Sequence, residues 1–69
     1  MNVLIIGGSG FIGEHLINKF HNKKNCKVYS VDLQVSKNFN GNGSYKGDIK
    51  DSSFLEKCIR ETKPDLIYY

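Results

Sequence analysis

The chain has 69 residues, enough for one small core, and a domain of that size buries only about 60% of the surface its unfolded form exposes. Its net charge is +3, but the ten basic residues are scattered from Lys19 to Lys63 among seven acids, which argues against the basic stripe of a nucleic-acid partner. No apolar run approaches the roughly 20 residues of a membrane span, and Cys26 and Cys58 have neither a CxxC partner nor metal-ligand spacing, so both are expected as reduced, buried or half-buried thiols and no metal is expected.

The first element is Val3-Leu4-Ile5-Ile6, four apolar residues without polar alternation, which run into Gly7-Gly8-Ser9-Gly10-Phe11-Ile12-Gly13. Such a run predicts a short strand buried on both faces, as in a parallel sheet. Beyond the glycines Ile12, Leu16 and Phe20 recur at helical spacing, which predicts a helix from about Gly10 to Phe20 or His21. A strand leading through glycines into a helix can hold a phosphate. Glycine allows the tight turn, and the unpaired N–H groups of the helix's first turn carry partial positive charge. Gly8-x-Gly10-x-x-Gly13 fits the dinucleotide fingerprint, and Gly7-x-x-Gly10-x-x-Gly13 fits a variant of it. Gly13 sits one turn in, where a missing side chain lets helix and strand approach. A nucleoside-triphosphate P-loop is excluded, because Glu14-His15 follow where Lys and Ser/Thr are needed. His15 is expected as a solvated surface residue.

Val3 to Ile17, VLIIGGSGFIGEHLI, resembles the opening of the extended short-chain dehydrogenases/reductases, the family of nucleotide-sugar epimerases and dehydratases. Ile6 departs from it, standing where many members carry threonine. The resemblance marks Gly7, Gly10, Phe11, Ile12 and Gly13 as contacts of a dinucleotide's pyrophosphate. It implies an NAD-dependent enzyme with a small-molecule substrate such as a nucleotide sugar, homodimeric when complete.

Cys26 to Asp32 is the second expected strand, with Val28, Tyr29 and Val31 as strand formers. Asp32 ends it, nineteen residues after Gly13. A carboxylate there can accept from the ribose hydroxyls of an adenosine; the bland alternative is an aspartate capping a loop. By the resemblance Leu33 joins the cofactor contacts. Asp32 favours NAD over NADP, whose 2′-phosphate would press against a carboxylate. Leu33 to Ser44 is polar and asparagine-rich and reads as a surface crossover between parallel strands, with a third strand near Ser44 to Lys46. On sequence alone Asp48, in Gly47-Asp48-Ile49-Lys50-Asp51, is an aspartate in a turn. The resemblance gives Asp48 the adenine amino group and the Ile49 N–H a ring nitrogen. Ser53-x-x-Glu56 matches a capping box for a second helix starting at Ser52 or Ser53. Phe54 or Leu55, Cys58 and Ile59 supply its apolar face, and Pro64 bars its continuation. Asp65 to Tyr69 reads as the fourth strand.

The expected fold is an α/β, Rossmann-like parallel sheet; in the order 3-2-1-4, right-handed crossovers put one helix on each face, with a cofactor crevice above strand 1, where the order reverses. Residues 1–69 are expected to be the N-terminal portion of an NAD(P)-binding domain whose remainder, and whose substrate domain, lie beyond. The family's Tyr-x-x-x-Lys pair does not occur: Tyr29 is followed at that spacing by Leu33, and Tyr45 by Ile49. No catalytic residue is therefore assigned. A cytoplasmic location without membrane or nucleic-acid partners is expected. A non-catalytic NAD(P)-sensing protein of the same fold, or a truncated product with only an interaction role, is the alternative.

Overall fold

The computed structural model describes residues 1–7, 11–34 and 41–69. Among them six elements follow in order: β1 (Asn2–Ile6), α1 (Phe11–His21), β2 (Lys27–Asp32), β3 (Gly43–Lys46), α2 (Ser52–Thr62) and β4 (Leu66–Tyr68). The strands form one parallel sheet in the expected order, β3-β2-β1-β4. β1 is central: Val3 lies opposite Val28 of β2 and Leu66 of β4. β2 carries β3 on its other edge, Val31 opposite Tyr45.

Side chains alternate across a strand, so β1 divides its apolar residues between two cores. Val3 and Ile5, with Val28 of β2, pack under Ile17 and Phe20 of α1. Leu4 and Val31 pack with Cys58 of α2, and Phe54, Ile49 and Tyr45 close the edge of that core. Val3, Leu4, Val28 and Val31 are wholly buried, each stabilising the fold by about 1.5–3 kcal/mol. The uniform apolar run that signalled a two-sided strand thus has one helix on each face. Phe20 also meets Tyr68 at a ring-centroid distance of 5.4 Å, which fastens α1 to β4.

The second helix starts differently from its expected capping box. Asp51 is the N-cap, and its side chain accepts from the Ser53 and Phe54 N–H groups at 3.1 and 3.3 Å. An ionised acceptor at the positive end of a helix outcompetes a serine hydroxyl two residues further on. At the other end Lys63 takes a left-handed conformation (φ 46°) and donates its N–H to the Ile59 carbonyl at 2.9 Å, one residue before Pro64. The Asn2 side chain donates to the carbonyls of Thr62 and Lys63, and the Asn2 backbone N–H donates to Asp65 Oδ2 at 2.8 Å. The end of α2 is therefore held by the start of β1. Along α2 Cys58 is buried, as expected. Ile59, by contrast, is 37% exposed, and the buried place one turn beyond Cys58 belongs to Thr62, whose hydroxyl donates to the Cys58 carbonyl at 2.8 Å.

β3 begins at Gly43 rather than Ser44. Asn42 occupies both ladder groups of Val28, accepting from its N–H through Oδ1 and donating to its carbonyl, and so draws the chain into pairing early. Cys26 falls just before β2 and is half-buried; both cysteines are free. The expected helix start at Gly10, and most of the Leu33–Ser44 crossover, lie outside the described residues.

Two stability experiments follow from this packing. Asp51→Ala should cost about 1 kcal/mol in denaturant unfolding, whereas Ser53→Ala should stay within about 0.5 kcal/mol; the opposite ranking would restore the capping box. Burial, with Glu61 adding to it, pushes the Cys58 thiol above its ordinary value of 9.0 and the Tyr45 hydroxyl above 10.0. Folding thus favours their neutral forms. That contribution is complete below about pH 8.5 and is lost as pH rises through the raised values. Unfolding free energy should fall between about pH 8.5 and 11, less steeply in a Cys58→Ala, Tyr45→Phe variant.

Candidate functional site

The carboxyl ends of β1, β2 and β3 open on one side of the sheet, and the backbone is shaped there by two glycines with different duties. Gly7 follows β1 at φ +85° and donates its N–H to the Val31 carbonyl at 2.8 Å. Among the described residues a Cβ at Gly7 would meet nothing within 4 Å. Glycine is therefore required by the left-handed φ and not by crowding. Gly47 follows β3, and its N–H donates to the Asp32 carbonyl at 2.9 Å. A Cβ there would lie 2.4–2.6 Å from the Phe54 ring. Here it is space that demands glycine, because Phe54, in the first turn of α2, packs directly over the turn.

Between these glycines lies a cleft of about 240 Å³ lined by Ile6, Gly7, Val31, Asp32, Leu33, Gly47, Asp48, Ile49 and Lys50. Asp32 ends β2, and its Oδ1 accepts the Leu33 N–H at 2.6 Å. Asp48 Oδ1 accepts the Lys50 N–H at 2.9 Å, and the Asp48 carbonyl accepts the Asp51 N–H at 3.0 Å. Each carboxylate thus accepts from a nearby backbone donor, which orients it. The Ile49 N–H enters no hydrogen bond among the described residues. Aliphatic walls with two oriented acceptors suit a flat heterocycle that carries hydroxyl and amino donors.

A second cleft, of about 270 Å³, lies on the α1 side of β1 and is lined by Ile5, Ile6, Gly7, Gly13, Leu16, Tyr68 and Tyr69. The two share Ile6 and Gly7, so they flank the end of β1. Gly13 is buried there, and Phe11 and Ile12 open α1, which puts their backbone in the helix's first turn.

The structure therefore gathers Gly7, Asp32, Leu33, Asp48 and Ile49 into one cleft and puts Gly13 in the adjoining one. Gly10 lies outside the described residues. The sequence reading left out Gly47 and Lys50. The position of Gly47, directly after a predicted strand and before an Asp-aliphatic pair, was the available signal; Lys50 had none, since a lysine in a turn is ordinarily solvated. His15 is exposed, as expected.

A model of the NAD dependent epimerase/dehydratase family matches residues 3–69. The chain belongs to this family. Two curated relatives are each 37% identical to it: a decarboxylating sterol-4-alpha-carboxylate 3-dehydrogenase of Saccharomyces cerevisiae, matching 99% of this chain, and a dTDP-D-glucose 4,6-dehydratase of Dictyostelium discoideum, matching 97%. The chain spans 22% and 18% of their lengths. Among solved structures, a UDP-glucose 4-epimerase is 30% identical, with a TM-score of 0.81 over 97% of this chain and 21% of its own. A dTDP-glucose 4,6-dehydratase of Bacillus anthracis, solved in complex with NAD, shares the fold at a TM-score of 0.81 and 24% identity, over 97% of this chain and 25% of its own. The family is NAD-dependent and these relatives are enzymes.

Gly47→Ala tests the tight packing beneath the cleft. It should cost about 1–3 kcal/mol, since Phe54 or the turn must move. Phe54→Ala would make room for the methyl group, so the double variant should lose less than the sum of the two single costs. Strict additivity in denaturant melts would show that the two residues do not compete for space.

Proposed function

We propose that these 69 residues form the opening portion of an NAD-binding domain and hold the adenosine half of the cofactor, in an enzyme that acts on a nucleotide sugar. One observation carries this reading: five of the expected cofactor contacts, Gly7, Asp32, Leu33, Asp48 and Ile49, line a single cleft at the carboxyl ends of β1–β3. The residues fit the group. Asp32, at the end of β2, accepts from the ribose hydroxyls. Asp48 accepts from the adenine amino group, and the Ile49 N–H donates to a ring nitrogen. Leu33 and Ile49 supply apolar surface for the ring. The first turn of α1, at Phe11 and Ile12, offers N–H groups to the pyrophosphate, and the small Gly13 keeps that helix close to β1.

NAD, when bound, supplies a nicotinamide that takes a hydride from the sugar and returns it. This chain's part is to bind and orient it; the tyrosine and lysine that would move the substrate proton are not among its residues. The nucleotide-sugar assignment is supported by the dTDP-glucose and UDP-glucose relatives. The sterol dehydrogenase at equal identity favours a second reading, a sterol carboxylate as substrate. Both keep the same cofactor site. Incubating the full-length protein with NAD and either a UDP- or dTDP-hexose or a 4-carboxysterol separates them by which one turns over.

Cofactor titration tests the site itself. A 2′-phosphate about 4 Å from Asp32 would be repelled by roughly 1 kcal/mol in water and about 4 kcal/mol at an effective dielectric near 20. NAD should therefore bind more tightly than NADP, and Asp32→Ala should narrow the gap. Equal or tighter NADP binding by the unsubstituted protein would remove Asp32 from the ribose.

A further inference from the structure

Asp32 does not stand alone at the edge of the cleft. It is paired in register with Lys46, the last residue of β3. Residues in register on neighbouring parallel strands point to the same side of the sheet, with backbones about 4.7–4.9 Å apart. Lys46 is exposed, and its flexible four-carbon stem carries a point charge over several ångströms. The residue after it, Gly47, is bonded to the Asp32 carbonyl and lines the cleft. Lys46 is thus anchored beside the one carboxylate expected to reject a 2′-phosphate. A second lysine, Lys50, lines the cleft beside Asp48, whose Oδ1 accepts its N–H. Lys50 thus lines the cleft with the two carboxylates, and Lys46 stands outside the lining, in register with Asp32 on the neighbouring strand.

We propose that Lys46 is a specificity-determining residue of the cofactor cleft: it offsets the charge of Asp32 and lets a 2′-phosphorylated adenosine bind at a modest disadvantage. The assignment rests on the adenosine reading of the cleft and sharpens it. The phosphate of NADP sits on the ribose that Asp32 holds, so of the two lysines Lys46 is the one placed to meet it. Lys50, on the adenine side, attracts both dinucleotides through the charge they share and leaves the choice between them unchanged. The rejection expected from Asp32 therefore falls at its lower end, several-fold rather than several-hundred-fold.

The experiment is calorimetric titration of the full-length protein with NAD and with NADP, at about 0.1 M and about 1 M salt. At the lower salt Lys46→Ala should raise the ratio of NADP to NAD dissociation constants about threefold to fivefold, the range of an exposed charge pair. Lys46→Arg should keep the ratio of the unsubstituted protein, and Lys50→Ala should weaken both cofactors without moving the ratio. At 1 M salt, where the Debye length is about 3 Å, the effect of Lys46→Ala should largely vanish. NAD bound normally with an unchanged ratio in Lys46→Ala would overturn the role of Lys46 and leave the cleft reading standing. A larger ratio change in Lys50→Ala would move the role to the other lysine and also overturn the proposal. No binding of NAD to the unsubstituted protein would overturn the cleft reading and this assignment with it.

Discussion

The hydrogen bond from the Gly7 N–H to the Val31 carbonyl, made at φ +85°, is the constraint on which the site depends. It extends the pairing of β1 with β2 by one step and in the same residue turns the chain out of the sheet. An L-residue with a side chain would lose about 1–2 kcal/mol in that conformation. Because the turn occurs there, Gly7 and Ile6 become the wall shared by two clefts, one on each side of the strand's end. A dinucleotide has two halves joined by a pyrophosphate, and this is the division of space that such a molecule needs.

The burial of β1 on both faces is what makes the turn affordable. Val3 and Ile5 go to the α1 core, Leu4 goes to the α2 core, and all three are essentially inaccessible to water. The helices are then fixed at their ends. α1 is tied to β4 by Phe20 and Tyr68. α2 begins on Asp51, immediately after the Asp48–Lys50 turn, and finishes under the Asn2 side chain. Cap, turn and cleft floor are consecutive in sequence. The placement of Asp48 and Ile49 is therefore a consequence of where α2 can start.

Much of this was legible in the residues themselves. The unbroken apolar run of Val3–Ile6 signalled two-sided burial, and handedness, given the 3-2-1-4 order, set the helices on opposite faces. Asp32 could be placed because a strand's last residue lies at the crevice whatever the loop after it does. What was not legible depended on contacts distant in sequence or on competition between neighbours. Asp51 displaced Ser53 as the cap because a charge and two N–H groups act together, which a four-residue pattern does not weigh. Thr62, rather than Ile59, takes a buried position because its hydroxyl finds the Cys58 carbonyl within the helix. The steric need for Gly47 arises from Phe54, seven residues away. The pairing of Lys46 with Asp32 follows from β-register, which the expected bounds of the two strands do not set.

The account's central claim is that the Asp32–Ile49 cleft receives an adenosine. A crystal structure of the full-length protein with NAD tests it most directly. The account predicts the adenine ring between Leu33 and Ile49, its amino group on Asp48, the ribose hydroxyls on Asp32, and the pyrophosphate beside Gly7 at the start of α1. An adenine ring bound elsewhere on the protein, with that cleft filled only by solvent, would contradict it.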